Sequence, residues 1–123
     1  NAKGQMQSLS QYRGKVIVLD FSSTEMEQYV AYNFELRELY NQYHKSGLEI
    51  YSVGIERNLL AWEEATENLP WLTVRALDNE ITEVLTRYNV QSLPTLFLFD
   101  KEGNVQGRYT DFTALEADIN KYL

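Results

Sequence analysis

The feature that most constrains the fold is an uninterrupted apolar run, Val16-Ile17-Val18-Leu19, with Phe21 two residues later. A strand that has one face in water alternates apolar and polar residues, whereas a strand covered on both faces is apolar throughout. The run therefore predicts a strand over 16–21 in the middle of a sheet, with helices packed on both of its faces.

Segments with helical and strand periodicity alternate along the rest of the chain. A helix is predicted over 25–45, because its apolar residues recur at steps of three and four, and a strand rich in β-branched residues follows over 48–55. With an edge strand at 4–10, this order predicts one α/β domain whose central mixed β-sheet has helices on both faces. The remaining predicted elements are a helix over 59–68 capped by Asn58, an extended segment over 71–77, a helix opened by Asp78-Asn79, a β-hairpin of 95–99 and 105–109, and a last helix opened by a capping box of Thr113 and Glu116.

Hydroxyl and carboxyl side chains precede the first long helix. Thr24 with Glu27, or Ser22 with Glu25, has the spacing of a capping box, in which each side chain bonds a free backbone N–H group. We therefore expect these acids to serve the first helical turn, where they also interact favourably with the helix dipole. Paired carboxylates could instead do acid–base work, although solvated acids on a helix face are far more common. The apolar stripe predicted to face the core includes Val30.

Charge and residue content argue against several classes of function. The formal net charge is −7 and Lys and Arg do not cluster, which argues against a nucleic-acid partner. No apolar run approaches the ~20 residues that a membrane-spanning helix needs. The chain has no cysteine and one histidine, His44, so neither a metal site nor a cofactor is predicted.

Four segments of the sequence, taken together in order, carry a resemblance to a known family. The chain resembles the thioredoxin-like superfamily, in particular its branch of TlpA/ResA thiol–disulfide oxidoreductases and AhpC/TSA-type proteins. The resemblance implies a thioredoxin fold and a cis peptide bond between Leu93 and Pro94. The segments that carry it are 9–21, 36–40 with 47–50, 69–71 and, most specific of all, 88–103.

The resemblance also bears on what surrounds the domain. Family members usually have a leader and a further strand before the part that corresponds to residue 3, so 3–123 is expected to be the C-terminal domain of a longer exported protein. The same resemblance implies a location in the bacterial periplasm or cell envelope. Because the chain begins with Asn1-Ala2 and no methionine, we interpret residues 1–2 as the remnant of an expression tag.

The family's Trp-Cys-X-X-Cys motif falls on residues 25–29 in this register. Met26 takes the place of the nucleophilic cysteine and Tyr29 the place of the resolving one. A thioether has no proton to lose and cannot attack a disulfide, and Glu25 and Glu27 would raise the pKa of a thiol placed beside them. The resemblance therefore implies a degenerate member that has lost its CxxC motif.

The predicted function is that of a redox-inactive domain that binds a protein or an extended peptide, or serves a structural role. In the family, such a segment lies beside the cis-proline, which makes Glu25, Met26, Tyr29, Leu93 and Pro94 the candidate binding residues. Met26 and Tyr29 could also simply fill the space that the motif vacated. Two other hypotheses remain: an oxidoreductase or peroxiredoxin-type enzyme whose reactive cysteines lie outside these residues, and a dimerisation domain. Catalysis by the residues of this chain is not predicted, and the sequence leaves the oligomeric state open.

Overall fold

The structure, a computed structural model, describes residues 14–56, 58–76 and 81–123. The predicted edge strand at 4–10 and the predicted cap Asp78-Asn79 lie outside the described residues. In chain order the elements are β1 (Val16–Ser22), α1 (Tyr29–Tyr43), a 3-10 turn (His44–Ser46), β2 (Leu48–Gly54), α2 (Leu59–Thr66), β3 (Leu72–Arg75), α3 (Ile81–Arg87), β4 (Thr95–Phe99), β5 (Val105–Tyr109) and α4 (Phe112–Tyr122).

The five described strands form one mixed sheet in the order β3-β2-β1-β4-β5. β1 lies at its centre, parallel to β2 and antiparallel to β4, and all seven of its residues are buried. The apolar run of β1 thus occupies the position that its composition predicts, and the predicted α/β class is confirmed.

Two apolar clusters cover the two faces of the sheet. Alternate residues of β1 divide between them, with Val18 in one cluster and Leu19 in the other. The Val18 cluster is completed by α1 and α4, and the Leu19 cluster by residues of α3 and of the segment that follows it. Because each face is covered by a helix, β1 has no solvent-facing side and needs no polar alternation.

The start of α1 differs from the prediction. The helix begins at Tyr29 and not at Glu25, and its N-cap, Gln28, makes no side-chain capping hydrogen bond. The predicted capping boxes are therefore wrong. The hydroxyl and backbone amide of Thr24 bond instead to the carboxylate of Glu56, which comes from the loop after β2. The groups of Thr24 that local spacing assigns to a capping box therefore bond to a buried carboxylate from a distant part of the chain.

The buried stripe of α1 also differs from the prediction. Tyr32, Leu36, Leu39 and Tyr43 are buried, whereas Val30, predicted to face inward, is 83% exposed. The buried positions follow one another at steps of four, three and four, and Val30 lies off this stripe on the side that faces solvent.

Of the N-caps predicted for two shorter helices, one is confirmed and one is wrong. Asn58 caps α2 as predicted, since its side chain accepts from the amide of Ala61 at 3.0 Å. α4 begins at Phe112, and Asp111, not Thr113, is its N-cap, accepting from the amide of Ala114 at 3.0 Å. The Thr113 capping box is therefore wrong. Asp111 directly precedes the helix in an extended conformation, and its side chain satisfies a free backbone N–H group of the first turn, the role that was predicted for Thr113.

Candidate functional site

The residues that match the family motif lie in a turn between β1 and α1. Glu25 and Glu27 are exposed, and Met26 is partly buried and packs against the cluster formed with α1 and α4. Tyr29 is the first residue of α1 and is partly buried. Met26 thus packs against the core while part of its surface stays accessible to solvent.

The Leu93-Pro94 loop lies at the same end of the sheet. The peptide bond between these two residues is cis, and both side chains are partly exposed. Thr95, the first residue of β4, pairs with Phe21 near the end of β1, so the loop ends beside the start of the Met26 turn. Leu93 packs against the cluster on the face opposite to that of Met26. The turn and the loop therefore lie at the same end of the sheet, while Met26 and Leu93 pack against clusters on opposite faces of it.

A buried carboxylate that the sequence patterns do not single out lies beneath this edge. Asp20 of β1 is 2% exposed and accepts hydrogen bonds from the hydroxyls of Ser52 at 2.6 Å, Ser22 at 3.2 Å and Tyr32. The indole N–H of Trp71 in turn donates to the hydroxyl oxygen of Ser52 at 2.9 Å. Donors from two strands and α1 therefore surround one acid, and Trp71, from the segment before β3, supports one of them.

Burial dominates the acid–base behaviour of this cluster. Burial raises the pKa of Asp20 from 3.8 to about 6, against the opposing effect of the hydrogen bonds from Ser52, Tyr32 and Ser22. Burial, followed by the negative charge of Asp20, raises the pKa of the Tyr32 hydroxyl well above its ordinary value. In the sequence, this cluster is indicated only by Asp20, a charged residue between the apolar residues Leu19 and Phe21 of β1.

A second buried carboxylate holds the turn itself. Glu56 is 1% exposed and accepts from the backbone amide of Thr24 at 2.6 Å, from the Thr24 hydroxyl at 2.7 Å and from the Ser23 hydroxyl at 3.4 Å. The hydroxyl of Ser23 also accepts from the amide of Glu25 at 3.1 Å. The turn that carries Met26 is thus fixed from the β2–α2 loop and not by its own helix.

Tyr29 lies against both buried acids at a small cavity. The cavity has a volume of about 10 Å³, and Asp20, Tyr29, Asn33, Glu56 and Trp62 are among the residues that line it. Such a volume holds about one water molecule, so neither a substrate nor an organic cofactor fits there. Burial, then the charges of Asp20 and Glu56, raises the pKa of Tyr29 to about 12. Its hydroxyl therefore stays protonated at neutral pH and can act as a donor but not as a nucleophile.

His44, the single histidine of the chain, contacts residues close to it in sequence. His44 stacks on Tyr40 with ring centroids 4.4 Å apart, and its Nδ1 lies 3.3 Å from the carbonyl oxygen of Leu48. Within 14–56, 58–76 and 81–123, no three His, Asp or Glu side chains are arranged to hold a metal ion. None of the helices described in these ranges is long and apolar enough to cross a membrane.

Comparison with known proteins gives the same likeness in sequence and in fold. A family model described as "Thioredoxin-like" matches residues 14–105. The thiol-disulfide oxidoreductase ResA of Geobacillus kaustophilus is 37% identical over 124 residues, which cover 98% of this chain and 68% of that protein.

Two solved structures from Bacteroides vulgatus are similar to it. An uncharacterized thioredoxin-like protein has a TM-score of 0.81 at 33% identity, with 92% of this chain and 74% of that chain covered. The thioredoxin domain of a thiol-disulfide oxidoreductase has a TM-score of 0.83 at 24% identity, with 93% and 83% covered. The likeness thus extends over nearly the whole chain.

Proposed function

The chain belongs to the thioredoxin-like family, and from that membership we propose that it is a redox-inactive member that binds an extended segment of another protein. The observation that carries the proposal is the absence of any cysteine from a chain whose sequence matches an oxidoreductase relative over nearly all of its length. Thiol–disulfide exchange proceeds by attack of a thiolate on a disulfide sulfur, and no residue here can supply one.

The face proposed for binding is the sheet edge formed by Glu25, Met26, Tyr29, Leu93 and Pro94. Two features support it. The turn is rigidly held by buried hydrogen bonds, so a partner would meet a surface that is already ordered and would lose little conformational entropy on its account. Pro94 and Leu93 are partly exposed beside it, and proline offers an apolar surface next to the backbone groups of the loop.

The location follows from the family likeness alone. We propose that the domain works in the bacterial periplasm or cell envelope, in line with the ResA-type oxidoreductases that it resembles. Fusion of the full-length coding sequence to alkaline phosphatase, which is active only after export, tests this. An inactive fusion that accumulates in the cytoplasm would contradict the location without affecting the proposed binding.

Selection of peptides from a random library of extended decapeptides on the immobilised chain tests the binding function. The selected peptides should bind Pro94→Ala and Glu25→Lys variants more weakly than the unaltered chain, and should bind a Val105→Ser control equally well. Val105 is an exposed apolar residue of β5, outside the proposed face. Equal binding to all variants, or no selected peptide at all, would refute the proposal.

A second candidate function is favoured by one observation. The chain spans 68% of the length of the Geobacillus relative, so a longer protein could carry cysteines outside residues 1–123. Dithiothreitol-driven insulin reduction by the full-length protein decides between the two. Turnover that is lost when an outside cysteine is changed to serine would establish the enzyme, whereas no turnover supports the redox-inactive domain.

A further inference from the structure

An exposed apolar surface lies on α1 and α2, apart from the Pro94 loop. We define it as the α1–α2 face, formed by Val30, Ala31 and Phe34 of α1 and by Ala61 and Ala65 of α2. Val30 is 83% exposed and Phe34 62%. Single exposed apolar residues need no explanation, but a group of them on adjoining helices is typical of an interaction surface.

Two shallow grooves show that the apolar residues are neighbours in space. One groove is lined by Val30, Ala31 and Phe34 on α1. The other is lined by Val30 together with Ala61 and Ala65 of α2. Val30 therefore joins the two grooves, and the small alanine side chains leave room at its side for an incoming apolar group.

The charged side chains that line the two grooves are all acidic, and the nearest described cation along α1, Arg37, donates to the carbonyl oxygen of Asn68 at 3.3 Å. Residues 21–36 and 58–74 contain no Lys, Arg or His. Every glutamate in these two segments is exposed, and those at positions 27, 35 and 64 line the grooves themselves. The exposed acids are Glu25, Glu27, Glu35, Glu63, Glu64 and Glu67.

We propose that the α1–α2 face docks a segment of a partner protein that presents apolar side chains flanked by Lys or Arg. The apolar centre would be buried on Val30 and Phe34, and the acidic rim would pair with the cations and exclude acidic competitors. A second copy of this chain is disfavoured as the occupant, because two such faces would oppose glutamates to glutamates. Tyr29, which belongs to the face proposed above, lines one of the two grooves, but neither groove includes Leu93 or Pro94, so the two surfaces adjoin and can be tested separately.

The test uses a fluorescein-labelled amphipathic peptide of Leu and Lys and a matched peptide of Leu and Glu. We expect the Lys peptide to bind the chain, the Glu peptide not to bind, and added salt to weaken binding. The double variant Val30→Ser/Phe34→Ser should weaken binding of the Lys peptide by about tenfold or more, while Val105→Ser should leave it unchanged. Because both side chains are exposed, the double variant should keep the circular dichroism spectrum of the unaltered chain.

A second double variant tests the acidic residues of the face without removing its apolar side chains. Glu27→Lys/Glu35→Lys reverses the rim at two exposed positions and should weaken the same peptide to a similar degree. Binding that survives both double variants, or that Pro94→Ala weakens and they do not, would overturn the proposal. Sedimentation that shows a dimer of the unaltered chain, converted to monomer by Val30→Ser/Phe34→Ser, would overturn it in favour of a second copy as the occupant.

Discussion

The carboxyl group of Asp20 should make the stability of this domain fall as the pH rises. Burial raises its pKa in the folded chain to about 6, from 3.8. Because the folded value is the higher one, the folded chain binds the proton more tightly than the unfolded chain. The stabilisation from that proton is complete below pH 3.8 and is lost as the pH rises through 6.

The size of the effect follows from the same two values. The difference between 3.8 and about 6 corresponds to about 3 kcal/mol in the free energy of unfolding. Asp20→Asn removes the ionisation and keeps the shape of the side chain. The three hydroxyl groups around position 20 can rotate to accept from the new amide group, since a hydroxyl both donates and accepts.

Urea unfolding of both proteins across the pH range from about 3.5 to about 7.5 isolates this group. All other titrating residues are common to the two proteins, so their contributions cancel in the difference between the two curves. We expect the free energy of unfolding of the unaltered chain to fall relative to that of Asp20→Asn by about 3 kcal/mol across this range. A constant difference, or one that changes in the opposite direction, would refute the conclusion that burial outweighs the hydrogen bonds at Asp20.

Three further predictions concern the turn and the helix caps. Met26→Cys/Tyr29→Cys should restore little insulin reduction, because the surrounding acids raise the pKa of a thiol; turnover comparable with that of a ResA-type relative would contradict this. Glu56→Gln should lower the free energy of unfolding by about 1–3 kcal/mol in urea titration, since an amide cannot accept every hydrogen bond that the carboxylate now accepts. Asp111→Ala should cost about 1 kcal/mol and Thr113→Ala almost nothing, and the reverse order in thermal melts would restore the Thr113 cap.

The sheet and the order of its helices could be predicted from sequence because apolar periodicity records burial directly. The continuous run at 16–19 requires cover on two faces, and the structure provides that cover. Asn58 could be identified as a cap because its partner, Ala61, lies three residues away. Interactions between near neighbours of this kind leave their pattern in the local sequence.

At the candidate site, the contacts that could not be predicted join residues far apart in the chain. Thr24 and Glu56 are 32 residues apart, and no local pattern shows that they bond. The same separation joins Asp20 to Ser52. Spacing alone assigned the Thr24 hydroxyl to a cap, and only the packed structure shows that it donates to the carboxylate of Glu56 while Gln28 takes the N-cap position. The cap of α4 is different, because Asp111 and Ala114 are three residues apart but Thr113 with Glu116 offers a competing local pattern.

The bonds between Glu56 and the residues before Met26 have a consequence for the substitutions that the turn can tolerate. They hold its backbone through Ser23 and Thr24, and Met26 packs against the core, whereas Glu25, Glu27 and Gln28 are exposed. New side chains at the three exposed positions should therefore leave the course of the loop unchanged. The turn can thus present altered side chains to solvent as long as Met26 is kept.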